Sequence, residues 1–166
     1  GMSVHVGRST LHDQPRTMRY VLPFLAILLF APFSSAQKPT AVVPPASASA
    51  HLTKTYPGAV VEKWKKGGKH FKADFKLKSE TYQAYYTPAG AWVRTEHNIP
   101  KSELPAAVTA KLKASKYSNW KIKDVEEHAT PEQPRLFKLK VDTEIKKAEL
   151  VFTPDGNLVS ADEKAK

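Results

Sequence analysis

The chain has 166 residues, 41% hydrophobic and 25% charged, with 26 lysines and arginines against 16 aspartates and glutamates, a net charge of +10, and no cysteine. These figures exclude a disordered chain, a disulfide-held scaffold and thiol chemistry, and they fit a single domain or two small units sharing one core. The positive excess favours encounter with acidic partners, such as a protein, anionic lipid or acidic polysaccharide, or else leaves lysines to solvate exposed strand faces.

Arg16 to Arg19 lead into an apolar run from Tyr20 to Phe33 and a small-residue exit, Ser34-Ser35-Ala36. This is the order of a secretory signal peptide. Cleavage is expected after Ala36, which makes residues 1–36 the leader, with Met18 as an alternative start. The run is interrupted by Pro23 and Pro32 and is shorter than the about 20 residues a membrane-spanning helix needs, so no transmembrane anchor is expected after processing. No cysteine follows it to carry a lipid. The sequence therefore points to the periplasm or the cell exterior, where nucleic acid is the least suitable of the acidic partners. Losing three arginines and one aspartate with the leader leaves a charge of +8. Residues 37–45 are proline-rich and read as an extended linker.

From Ala46 to Thr55 the sequence reads as a helix, although serine and threonine lie in its interior. Val60 to Lys65 follows as a strand, and Gly67-Gly68 as its hairpin turn. Next, Phe71, Ala73, Phe75 and Leu77 alternate with Lys72, Asp74, Lys76 and Lys78, the period of two of a strand with one buried and one wet face. Tyr85-Tyr86-Thr87-Pro88-Ala89-Gly90-Ala91-Trp92-Val93 then reads as strand, Thr-Pro-x-Gly turn, strand. A second helix is expected over Ala106 to Ala114, capped by Ser102 or Leu104 with Pro105 in its first turn. After it come the strand Trp120 to Glu126, an alternating strand with Phe137, Leu139 and Val141 against Lys138, Lys140 and Asp142, and Val151-Phe152-Thr153-Pro154-Asp155-Gly156-Asn157-Leu158-Val159. The last block repeats the earlier Thr-Pro-x-Gly hairpin.

The order is thus helix and four strands, twice, over residues 46–99 and 100–166. The class expected is α+β, with two tandem repeats and the helices packed on one face of antiparallel sheet. Whether the repeats share one sheet or form two is left open. Tyr56-Pro57-Gly58-Ala59 with Trp64, Lys101 to Val108, Lys116 to Ile122 and Phe152 to Gly156 together resemble the PepSY-like family of secreted or periplasmic, beta-lactamase-inhibitor-like proteins. The resemblance covers residues 46–160 or so. It implies tandem helix-plus-four-strand units and an inhibitor-like or binding role, and it carries over no functional residue, because fold does not transmit function.

The side chains that could do chemistry do not assemble along the sequence. His51, His70, His97 and His128 show no i, i+4 or His-x-His pairing, so no metal site or cofactor is expected. No serine stands in a Gly-x-Ser-x-Gly context. Glu126-Glu127 and Asp162-Glu163 are adjacent, so on a strand their carboxylates point to opposite faces. Trp64, Trp92 and Trp120 read first as core under the helices. A functional alternative places Tyr85 and Trp92 on the wet face beside Lys72, Lys76, Lys138 and Lys140, as a basic, aromatic-dotted surface for a partner. The expectation is a non-enzymatic, exported binding protein that contacts an envelope or secreted protein through that surface. The alternative is a sensor or carrier of an acidic ligand or envelope polymer.

Overall fold

The protein is seen here as a computed structural model, which describes residues 41–166. The expected leader and the first part of the linker lie outside these residues. Helix α1 spans Ala46–Thr55 and is followed by β1 (Val60–Gly67), β2 (His70–Leu77), β3 (Glu80–Tyr86) and β4 (Trp92–Asn98). A 3-10 turn at Lys101–Glu103 leads to α2 (Ala106–Lys113), then β5 (Lys121–Ala129), β6 (Leu136–Asp142), β7 (Lys146–Phe152) and β8 (Leu158–Ala165). All eight strands lie in a single sheet in chain order, each antiparallel to the next. The two halves of the sheet meet at the β4–β5 seam, where Thr95 faces Ala129 and Glu96 faces His128. Among the described residues no helix is long and apolar enough to cross a membrane.

Alternation sets the two faces. Phe71, Ala73 and Phe75 of β2, Ala84 and Tyr86 of β3, and Ala48 and Leu52 of α1 form one buried cluster. Val125, Phe137, Leu139, Val141, Ala148, Leu150 and Phe152 form another with Val108 and Leu112 of α2. Ala84, Thr95 and Ala129 stand in register across β3, β4 and β5, so both clusters lie on the same side of the sheet. We call this the helix face and the other the open face. Full burial of each large apolar side chain contributes about 1.5–3 kcal/mol, which is how these short helices are held despite weak caps.

Neither helix has a side-chain cap, and proline (Pro45, Pro105) stands at the N-cap of both. The expected cap at Ser102 is corrected: Ser102 lies in the 3-10 turn, which closes on Lys101 through the Leu104 amide, and the extended backbone of Leu104 and Pro105 separates it from α2. The Thr-Pro-x-Gly turns explain themselves in the packing. In each, the glycine amide donates to the threonine carbonyl (3.0 Å at Gly156, 2.8 Å at Gly90), and both glycines have φ of +88°. That left-handed conformation costs other residues about 1–2 kcal/mol. Gly90 lies against Pro45 and Ser47 at the start of α1, and Gly156 lies against Ala107 and Lys111 of α2. Each turn is thereby tucked under the first turn of a helix.

The strand register slips by one residue at Glu62 in β1 and Lys123 in β5, and again at Val93 in β4 and Val159 in β8. Each slip is a bulge, which reverses the faces of the residues beyond it. Trp92 lies beyond such a bulge.

Candidate binding face

The open face carries the charged half of each alternation. On β2 it presents Lys72, Asp74 and Lys76; on β6, Lys138 and Lys140. An acid stands beside each lysine, on the same strand for Lys72 and on a neighbouring strand for Lys76, Lys138 and Lys140. Lys72 is 3.4 Å from Asp74, Lys76 is 3.0 Å from Glu62, Lys138 is 2.8 Å from Glu149, and Lys140 is 2.9 Å from Glu126 and 3.3 Å from Asp124. The sequence reading of a basic face is therefore revised to one of interleaved charge, because cross-strand register places oppositely charged residues side by side. Burial alone would raise the Asp74 carboxyl, but Lys65 and Lys72 outweigh it and hold the group below its ordinary value. Exposed pairs of this kind contribute about 0–1 kcal/mol each, so their main effect is to fix where the charges stand.

Tyr85 lies at the centre of the N-terminal half of this face, between Lys72 and Arg94 in the register. Its hydroxyl donates to Glu96 Oε1 at 2.8 Å, and the Arg94 guanidinium lies 3.7 Å from its ring centre. Burial and then the Glu96 carboxylate push the phenol up to about 12. Arg94 Nε donates to Glu96 Oε2 at 2.9 Å. Across the seam, His128 Nε2 is 2.8 Å from Glu126 Oε2 and 3.6 Å from Glu96 Oε2. Lys140 Nζ then donates to Glu126 Oε1 at 2.9 Å and to Asp124 Oδ2 at 3.3 Å, and Asn98 Nδ2 donates to Asp124 Oδ1 at 2.8 Å. Hydrogen bonds from His128 and Lys140 hold the Glu126 carboxyl well below the usual glutamate range, against a smaller opposing effect of burial. One connected network thus runs from β3 across the seam to β6.

Trp92 does not belong to this face. It stacks on His51 of α1, with ring centres 5.1 Å apart, and its Nε1 donates to Thr95 Oγ1 at 3.0 Å. The bulge at Val93 is the reason: with regular pairing Trp92 would lie on the same side as Tyr85, and the extra residue turns it onto the helix face. Of the six residues singled out from sequence, Lys72, Lys76, Tyr85, Lys138 and Lys140 share the open face, and Trp92 joins the core. Glu96, Glu126 and His128 were missed, since their convergence spans two strands. The signal was the run Asp124-x-Glu126-x-His128, whose period of two puts three titratable groups on one side of a strand. These two glutamates and the histidine bring three donor atoms within 4.8 Å of one another and are the set, among the described residues, that could hold a metal ion.

Solved structures of similar fold are found. A BLIP-like protein from Bacteroides fragilis shares 26% identity at a TM-score of 0.69, covering 76% of this chain and 91% of its own. A protein from Bacteroides eggerthii described as periplasmic shares 26% identity at a TM-score of 0.64, covering 74% of this chain and 90% of its own. A DUF2874 family protein from Bacteroides uniformis shares 25% identity at a TM-score of 0.65, covering 73% and 90% of the two chains. No curated protein matches the chain. The family profile described as beta-lactamase-inhibitor-like, PepSY-like matches residues 69–160, a stretch that runs from the start of β2 into β8 and includes both Thr-Pro-x-Gly turns, and the chain therefore belongs to the PepSY-like family.

Proposed function

We propose that the protein is an exported, non-enzymatic binding module that engages an envelope or secreted protein through the open face of its sheet. The observation that carries this reading is the connected network of Tyr85, Arg94, Glu96, His128, Glu126 and Lys140 on a sheet face that neither helix of the described residues covers. Ion pairs fixed on a rigid sheet favour one complementary partner over many acidic ones, because specificity comes from matched charges and from the cost of mismatched ones. The family's inhibitor-like description agrees with this. A leader of residues 1–36, cleaved after Ala36, would deliver the protein to the periplasm or outside the cell.

The same reading takes the two halves as copies of one helix-plus-four-strand unit, residues 46–99 and 100–166. What supports it is the pairing of features: Thr-Pro-x-Gly turns under both helices, and bulges on the first and last strands of both halves. The alternative of an acidic ligand or polymer has less support, since each of the four lysines already faces a carboxylate.

The test is affinity capture from an envelope extract by the parent protein, a Lys72→Gln/Lys138→Gln/Lys140→Gln variant, and a Lys54→Gln/Lys113→Gln control on the helices. A protein retained by the parent and control but lost from the face variant is the expected result. Equal retention by all three would remove the open face from the reading. Binding abolished by moderate salt and restored with any polyanion would favour the acidic-ligand alternative.

A further inference from the structure

We propose that Glu96, Glu126 and His128 form a binding site for a divalent transition-metal ion of the zinc type, on the open face at the β4–β5 seam. The strand scaffold sets the geometry. Glu96 stands directly opposite His128 in the register, and Glu126 lies two residues before His128, on the same face of β5. The imidazole Nε2 is 2.8 Å from one carboxylate oxygen and 3.6 Å from the other. A tetrahedral zinc with bonds of about 2.0–2.2 Å holds its ligand atoms about 3.3 Å apart, so small side-chain rotations suffice to admit the ion.

The carboxylates are also held in the required orientation. Tyr85 donates to Glu96 Oε1 and Lys140 donates to Glu126 Oε1, so each group is gripped by one oxygen while its Oε2 is turned toward His128. Outer donors of this kind fix the direction of metal ligands. The competitor is Arg94, whose Nε lies 2.9 Å from Glu96 Oε2. Its guanidinium rests on the Tyr85 ring at 3.7 Å, a seat it keeps when that oxygen turns to the ion.

Charge favours entry as well. With a neutral imidazole, the cations Arg94 and Lys140 face the anions Glu96, Glu126 and Asp124, which leaves one negative charge in excess. The ion takes the place of the hydrogen bond between Nε2 and Glu126, and the neutral imidazole then carries its one proton on Nδ1. A cleft of about 220 Å³, lined by Thr81, Gln83, Glu96, His97, Asn98 and Glu126, opens beside the two glutamates and leaves room for a fourth, water ligand. The imidazole nitrogen selects transition ions over calcium or magnesium, which prefer all-oxygen sites. The histidines of the helix face are otherwise engaged: His51 meets Tyr86 and Thr55 through its two ring nitrogens, and His97 packs on Tyr82.

The site is tested by titrating zinc chloride into the chelator-treated full chain by calorimetry. One equivalent bound by the parent, with at least a tenfold loss of affinity in both His128→Ala and Glu96→Gln, is the expected result. If a variant fails to fold, ring NMR of the parent keeps the test: zinc should move the His128 ring signals and leave those of His51 and His97 in place, and calcium should move none. Absence of stoichiometric zinc binding, unchanged affinity in a folded His128→Ala, or zinc signals at another histidine would overturn the assignment.

Discussion

The half built from α1 and β1–β4 sets its buried rings beside alanines, and the half built from α2 and β5–β8 sets its own, Phe137, Phe152 and Tyr117, among branched aliphatic side chains. Under α1, Phe71, Phe75 and Tyr86 are spaced by Ala73 and Ala84, and Tyr56, Phe75 and Tyr82 pack ring to ring at 5.2 and 5.4 Å. Under α2, Val125, Leu139, Val141 and Leu150 take the corresponding central positions, with Phe137 and Phe152 toward the turn. The same backbone layout is therefore satisfied by two volume solutions, rings beside alanines in one and rings beside valines and leucines in the other. The first solution has polar consequences. Tyr86 needs His51 at 3.1 Å and Trp92 needs Thr95 at 3.0 Å, because their hydroxyl and N–H groups are carried into the interior. Among the described residues, the one buried polar side chain is Thr95, in the half built from α1.

The turns under the helices offer the sharpest way to break the comparison. An added Cβ at Gly156 would come within 2.6 Å of the Ala107 backbone carbonyl, whereas one at Gly90 would first meet the Ser47 hydroxyl, a side-chain atom that can rotate away. Both glycines share the same left-handed strain. Gly156→Ala is expected to cost about 2–4 kcal/mol and Gly90→Ala about 1–2 kcal/mol, as read by urea denaturation of the two variants. Equal costs would mean that the two turns are seated alike and that the contact with α2 is not rigid.

A smaller effect is expected at the sheet edge. Glu163 on β8 accepts from Lys116 at 2.8 Å and Lys146 at 3.0 Å, tying the last strand to the segment after α2 and to β7. These two hydrogen bonds bring its carboxyl from the ordinary 4.5 down to about 2. A depressed carboxyl contributes stability above its unfolded value and loses it as the pH falls toward its folded one. Stability of the parent should therefore fall more steeply between about pH 4.5 and pH 2 than that of Glu163→Gln, measured by thermal unfolding across that range. Parallel acid limbs would show that the contacts are not retained in solution.

Much of this was legible in the sequence. The alternation of β2 and β6 was clear because each alternate residue is either a large apolar side chain or a charge, and the bounds of α1 follow from Pro45 and the turn at Pro57-Gly58. The turn joining β2 to β3 was hidden, since Lys78 and Ser79 take positive φ, 50° and 69°, without a glycine to signal it. Trp92 lies under α1, as the first reading of the tryptophans had it, but the bulge that turns it there was hidden, because a bulge is a property of pairing between strands and Val93 gives no local sign of it. The mixed charge of the open face had the same origin: each lysine was visible, but the acid beside it usually sits on a neighbouring strand and is known only once the register is fixed.

The central claim, that the open face binds and the helix face only supports it, is tested most directly by lysine footprinting in an envelope extract. Acetylation of the parent would be compared with and without extract and read by mass spectrometry at each lysine. Protection confined to Lys72, Lys138 and Lys140, with Lys54, Lys111 and Lys113 on the helices labelled equally in both samples, is the predicted result. Protection of the helix lysines with the open face still fully labelled would contradict the account.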